Sequence, residues 1–155
     1  MNMSGITRNP IQRWSDRTLV EQASWGGAEG VRGAPLEVMV ELANRLHADA
    51  WFTVPHAADN DFVRRYAEYI RANLDPDLKV YLEYSNETWN GIFSQHAYMK
   101  QGGKQLGLDP VDHIAGYKYY SMRSVEIFNI FEQVFGGKQR LVRLMAGLNG
   151  NPAMT

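Results

Sequence analysis

Glu87 stands in the run Lys79-Val-Tyr-Leu-Glu-Tyr-Ser-Asn-Glu-Thr-Trp-Asn90, directly after the amide of Asn86 and two residues before the indole of Trp89. A carboxyl group beside an amide and an apolar wall can keep its proton near neutral pH, because apolar surroundings penalise the charged form. It can then serve as a general acid. Asn86 can bond a substrate hydroxyl, and Trp89 can stack on a sugar face. On the bland readings, Glu87 caps the following helix or sits in solvent. Asn86-Glu87-Thr88 is also a glycosylation acceptor, which matters only in a chain secreted through a glycosylating pathway.

The elements that must position these groups follow from periodicity. Val80, Leu82 and Tyr84 fall on one side of an extended chain and Tyr81 and Glu83 on the other, so this is a strand with both faces engaged. Ser85, Asn86 and Glu87 follow its carboxyl end, where ligands collect in sheets flanked by helices. Upstream, Pro35 suits a helix start, and Leu36, Met39, Val40, Ala43 and Leu46 follow at helical spacing. Trp51, Phe52 and Val54, closed by Pro55, form a short buried strand whose end carries His56 and Asp59. Asp59 is expected to cap a helix marked by Phe62, Tyr66, Tyr69, Ile70 and Asn73, which Asp75-Pro76 stops. Helix, strand, helix, strand is the order of a parallel sheet.

Beyond Asn90-Gly91 a short helix is expected from Phe93 to Gln101, stopped by Gly102-Gly103. A longer one runs from about Pro110 to Phe135 with Ile114, Tyr117, Ser121, Ser124, Phe128, Phe131 and Phe135 on one face, and Gly136-Gly137 ends it. Arg140 to Gly147 reads as a further strand with Leu148 to Pro152 as its carboxyl-end loop, where Asn149 is a candidate to face the same site as Glu87. Residues 1–34 have no sustained period and read as an irregular segment, whose Trp14 and Trp25 either line a groove or merely anchor it. His47 reads as a partner for helix-end carbonyls. His56 is either a hydrogen-bonding partner for substrate or for Glu87, or a satisfied structural histidine.

The segments Pro35 to Leu46, Asp49 to Asp59 and Tyr81 to Asn90 together resemble bacterial, cellulase-like relatives of the clan A glycoside hydrolases, which are (β/α)8-barrel enzymes. The resemblance covers most of residues 9 to 152 and implies a middle slice of such a barrel, about strands two or three through five. In that clan an Asn-Glu pair ends the fourth strand, so the resemblance makes Glu87 the acid/base and Asn86 the contact to the sugar beside the cleaved bond. His56 occupies a place like that of a histidine some members carry near the end of the third strand. Retaining members add a nucleophilic carboxylate at the end of the seventh strand, about 5 to 5.5 Å from the acid/base. No residue here matches it by motif.

The expectation is therefore a single α/β unit over residues 1–155, a partial TIM (β/α) barrel of about three parallel strands with covering helices over 35–155. The substrate is an oligosaccharide or polysaccharide, with His56, Trp89 and Asn149 shaping the site. The alternatives are a noncatalytic carbohydrate-binding unit, or a fragment that self-associates through unpaired strand edges into a homo-oligomer. A complete barrel takes about 250 residues, against 155 here. A 45% hydrophobic and 12% aromatic composition is ample for a core.

Sixteen basic and 17 acidic side chains leave a formal net charge of -1, without a basic stripe for nucleic acid. No apolar run of membrane length and no leader are visible, so the leader of any secreted parent would lie outside this sequence. Cysteine is absent, which removes disulfides and thiolate chemistry. Neither His-Glu-x-x-His nor an Asp-rich loop suggests a metal, and no phosphate-binding glycine loop suggests a nucleotide cofactor.

Overall fold

The strands β1 (Ala50–Val54), β2 (Val80–Tyr84) and β3 (Leu141–Leu144) lie parallel in the order β1-β2-β3. Ala50 pairs with Val80, and Val80 with Leu141. The computed structural model describes residues 11–25 and 33–148. Among these residues the fold is mixed α/β, with three parallel strands and four α-helices: α1 (Leu36–Leu46), α2 (Asn60–Asn73), α3 (Ser94–Gln105) and α4 (Asp112–Phe135).

Register places Phe52, Val54, Val80, Leu82 and Tyr84 on one face, all fully buried in the main core with α1 Met39 and Val40, α2 Phe62, Tyr66 and Ile70, and α4 Ile127 and Phe131. The opposite face carries Trp51, Tyr81, Val142 and Leu144, none fully buried, together with buried Thr53 and Glu83. Sequence-adjacent strands that are also neighbours need crossovers of one hand, which keeps the crossover helices on one face.

Several local expectations hold. The Asp59 carboxylate accepts a 2.7 Å bond from the Phe62 N–H and caps α2. Gly136 ends α4 at φ 73, a left-handed position that glycine adopts without steric cost. His47 differs from its expected role: it is the left-handed C-cap of α1 and its backbone N–H meets the helix-end carbonyls, whereas its side-chain Nδ1 lies 3.8 Å from the Asp75 carboxylate.

Three expectations are corrected. Gly102-Gly103 does not stop α3, which continues through both glycines because they form its contact surface with α4. A Cβ at Gly103 would lie 2.1 Å from the Ala115 carbonyl oxygen, and one at Gly102 would lie 2.6 Å from the Tyr119 ring. The α4 stripe holds only in its second half: Ser124, Phe128 and Phe131 are buried, but Ile114 is exposed and Tyr117 and Ser121 are half-buried, whereas Ala115, Gly116, Tyr120, Arg123 and Ile127 are buried instead. The upper part of α4 packs on α3, and only its lower part packs on α2 and the sheet. The last strand is also shorter than the Arg140 to Gly147 run, spanning Leu141–Leu144.

The length of α4 shapes the carboxyl end of the sheet. Twenty-four residues span roughly 36 Å, twice the roughly 17 Å of a five-residue strand. Tyr120 and Arg123 mark where α4 meets the carboxyl end of the sheet. The Tyr120 hydroxyl accepts from the Ala146 N–H at 2.9 Å just past β3, and its ring stacks on Tyr84 at 5.9 Å. Arg123 donates to the Ala58 carbonyl at 2.8 Å and to the Asn60 side chain, clamping α4 to the β1–α2 loop. Residues 112–119 therefore rise beyond the strand ends, and α3 climbs beside them as an antiparallel partner.

Within the 1–34 segment, residues 11–25 include a single 3-10 turn at Trp14–Asp16. Ile11 is fully buried in the core, and the Gln12 carbonyl accepts from the Asp59 N–H at 2.9 Å. Trp14 meets Phe62 edge-on at 5.6 Å with Arg17 over its ring at 4.4 Å, so its indole packs against α2. The Trp25 indole donates to the Val20 carbonyl at 3.2 Å.

Candidate functional site at the carboxyl end of the sheet

Strand β2 ends at Tyr84, and the chain then turns abruptly. Ser85 (φ 60) and Glu87 (φ 46) both adopt the left-handed backbone that side chains other than glycine disfavour. The surroundings enforce the turn. The Ser85 N–H still donates to the Val54 carbonyl at 2.8 Å, prolonging the β1–β2 ladder by one bond. The Asn86 carbonyl accepts from the buried Gln95 amide at 2.7 Å, and the Thr88 carbonyl lies 2.9 Å from His96 Nδ1. A carbonyl can only accept, so in the neutral His96 ring Nδ1 carries the proton and Nε2 is the acceptor.

Asn90 closes the loop. Its N–H donates to the Glu87 carbonyl at 2.9 Å, and its side-chain amide donates to Glu87 Oε2 at 3.1 Å. Glu87 is thus held at the mouth of the sheet, half-buried, with half-buried Asn86 and Trp89 on either side. The arrangement joins a carboxyl held by Asn90, a side-chain amide and an indole at the strand end.

His56 sits two residues past β1 and is 5% exposed. Its carbonyl accepts from the Tyr84 hydroxyl at 2.7 Å, tying the ends of β1 and β2 together. Its ring packs edge-on against Tyr98 at 5.1 Å, and Nδ1 is buried without a hydrogen-bond partner. Burial holds the imidazole down at about 4, so it is neutral at physiological pH. No hydrogen bond joins it to Glu87 among the described residues, which corrects that expectation: the His56 ring faces α3 while the Glu87 carboxyl is taken by Asn90. Asn149 lies outside the described residues.

Glu83, on the sheet face opposite the helices, is 5% exposed and accepts from the Trp51 indole at 2.9 Å. Burial raises its pKa, partly offset by that bond. Sequence alternation placed Glu83 on this face and read both faces as engaged, but it gave no sign of the Trp51 indole as its partner. Gln95, His96 and Tyr98 carried no spacing signal either, because their partners come from the loop before α3 and from β1. No group of three His, Cys, Asp or Glu close enough to hold a metal occurs among the described residues.

Compared with known proteins, the chain matches no family model, no curated protein and no solved structure.

Proposed function

We propose that this end of the sheet is a carbohydrate site of glycoside hydrolase type, in which Glu87 is the acid/base, Asn86 bonds the sugar beside the cleaved bond and Trp89 and His56 shape the subsites. The observation that carries the reading is the strained Glu87: a carboxyl at φ 46, fixed by Asn90 at the carboxyl end of the central strand. Backbone strain of this kind costs roughly 1–3 kcal/mol and concentrates at functional sites. In the same proposal the sheet is a segment of a (β/α) barrel wall. Supporting it are strands in sequence order and a sheet face that bears Trp51, Tyr81, Val142 and Leu144 opposite the helix-covered core. Self-association through the outer strands β1 and β3 belongs to it too, and a sharply monomeric mass at high concentration would remove that part.

The test is release of reducing ends from neutral oligosaccharides by this chain and by Glu87→Gln, with binding followed in parallel by calorimetry. A general acid contributes roughly 10²–10⁴-fold, so the amide should abolish turnover while leaving binding intact, and Trp89→Ala should weaken binding. Turnover within a few-fold in Glu87→Gln overturns the acid/base role. Saturable binding without product would make the unit a noncatalytic sugar binder.

A further inference from the structure

The hairpin of α3 and α4 that rises above the sheet carries two hollows against α3. The first, of about 570 Å³, begins at Gly91, directly after the Glu87 turn, and runs past His96, Lys100, Gln101, Lys104 and Gln105. The second, of about 340 Å³, is lined by Tyr98, Gln101, Gly102, Gln105, Leu106 and Tyr119. Gln101 and Gln105 border both, so the two hollows lie on adjoining faces of α3 and meet along that pair. From His96 to Leu106 the track measures roughly 15 Å, more than one sugar ring spans.

We propose that the second hollow is an outer subsite for a neutral sugar residue of an oligosaccharide whose inner end lies at Glu87. The ligand class rests on the function proposed above, whereas the location rests on the hollow's own chemistry. Its volume falls at the small end of ligand pockets, about 300–1,000 Å³. Tyr98 and Tyr119 stand edge to face at 6.1 Å and both line the hollow, which offers ring surface to the C–H face of a sugar. Gln101 and Gln105 are exposed and each offers an amide donor and an acceptor.

No charged side chain lines this hollow. Lys100 and Lys104 line only the first hollow, so the second offers a ligand amide donors and acceptors and no charge of its own, which suits the hydroxyls of a polyol. Gly102 is part of the construction, because any side chain at that position would collide with the Tyr119 ring at 2.6 Å. Tyr98 also touches His56, so the hollow is built on the same framework as the ends of β1 and β2.

The test is calorimetric titration of the whole chain with cellobiose and with cellohexaose, xylohexaose and mannohexaose, repeated for Gln101→Ala/Gln105→Ala and for Trp89→Ala. Alanine is a good helix former and both glutamines are exposed, so the double variant keeps its fold. It should bind a hexasaccharide roughly tenfold more weakly, the scale of one or two net hydrogen bonds, with cellobiose unaffected. Unchanged hexasaccharide affinity in the double variant, with affinity lost in Trp89→Ala, overturns the outer subsite and leaves the Glu87 site standing. Affinity lost in the double variant but kept in Trp89→Ala upholds the subsite and counts against the Glu87 site. No binding of any hexasaccharide by the parent chain overturns both.

Discussion

A methyl group added at Gly103 would lie 2.1 Å from the carbonyl oxygen of Ala115, 2.3 Å from its carbonyl carbon and 3.0 Å from its Cβ. Two effects oppose each other in Gly103→Ala. Alanine in a helix interior gains about 1 kcal/mol over glycine, while forcing a methyl into a filled contact typically costs about 1–3 kcal/mol. The struck atoms belong to a helix backbone and cannot rotate away, so α3 and α4 must separate by more than an ångström. That places the cost at the upper end of the range, and the net loss is about 2 kcal/mol. For a chain of this size the melting temperature should fall by roughly 4–8 °C. Gly102→Ala is the internal comparison: its methyl meets only the Tyr119 ring, a side chain able to turn, so it should cost less stability while deforming the outer hollow. Urea and thermal unfolding of both variants give the readout. A Gly103→Ala protein as stable as the parent, or more so, would refute the close crossing of the hairpin.

Two buried titratable groups predict opposite pH slopes. His56 titrates at about 4 in the folded chain against 6.5 for the ordinary group, so below 6.5 the unfolded chain takes up a proton that the native state refuses. Its contribution is complete above 6.5 and is lost as pH falls toward about 4, on the order of 3 kcal/mol. His56→Gln should flatten that part of the stability profile in urea titrations, and an unchanged slope would contradict the burial. Glu83 has a raised folded pKa, so its contribution is present at low pH and lost as pH rises through that value. Glu83→Gln keeps an oxygen for the Trp51 indole and should gain stability relative to the parent as pH increases; a gap that stays constant with pH would be the wrong outcome.

Alternation in Val80 to Tyr84 and the short apolar run before Pro55 made the β1–β2 pair readable, and Asp59 announced the start of α2 through its capping side chain. These signals are local, contained within a few residues of the element they define. Gly102-Gly103 misled because glycine has two uses, ending a helix or letting another backbone approach. Only Ala115 and Tyr119, 12 and 17 residues further on, decide between them. The α4 stripe held at Ser124, Phe128 and Phe131 but not in the first half of the helix, for a related reason. One helix presents small residues to α3 in its first part and aromatic ones to α2 in its second, so no single face runs its whole length. At the site, Glu87, Asn86 and Trp89 were legible as neighbours on the chain. Their support from Asn90, Gln95 and His96 depends on how the loop folds back, which spacing does not encode.

The left-handed backbone at Glu87 sets what substitution can do to this protein over time. For a residue with a Cβ, that conformation costs roughly 1–2 kcal/mol, and glycine there would relieve it without disturbing any core contact. A glycine would also lose the bond from the Asn90 side-chain amide to Oε2 and would loosen the unfolded chain, two costs of similar size to the strain relieved. The carboxyl at position 87 is therefore opposed by its backbone and retained by its partner, and a change at Asn90 would tip that balance toward glycine.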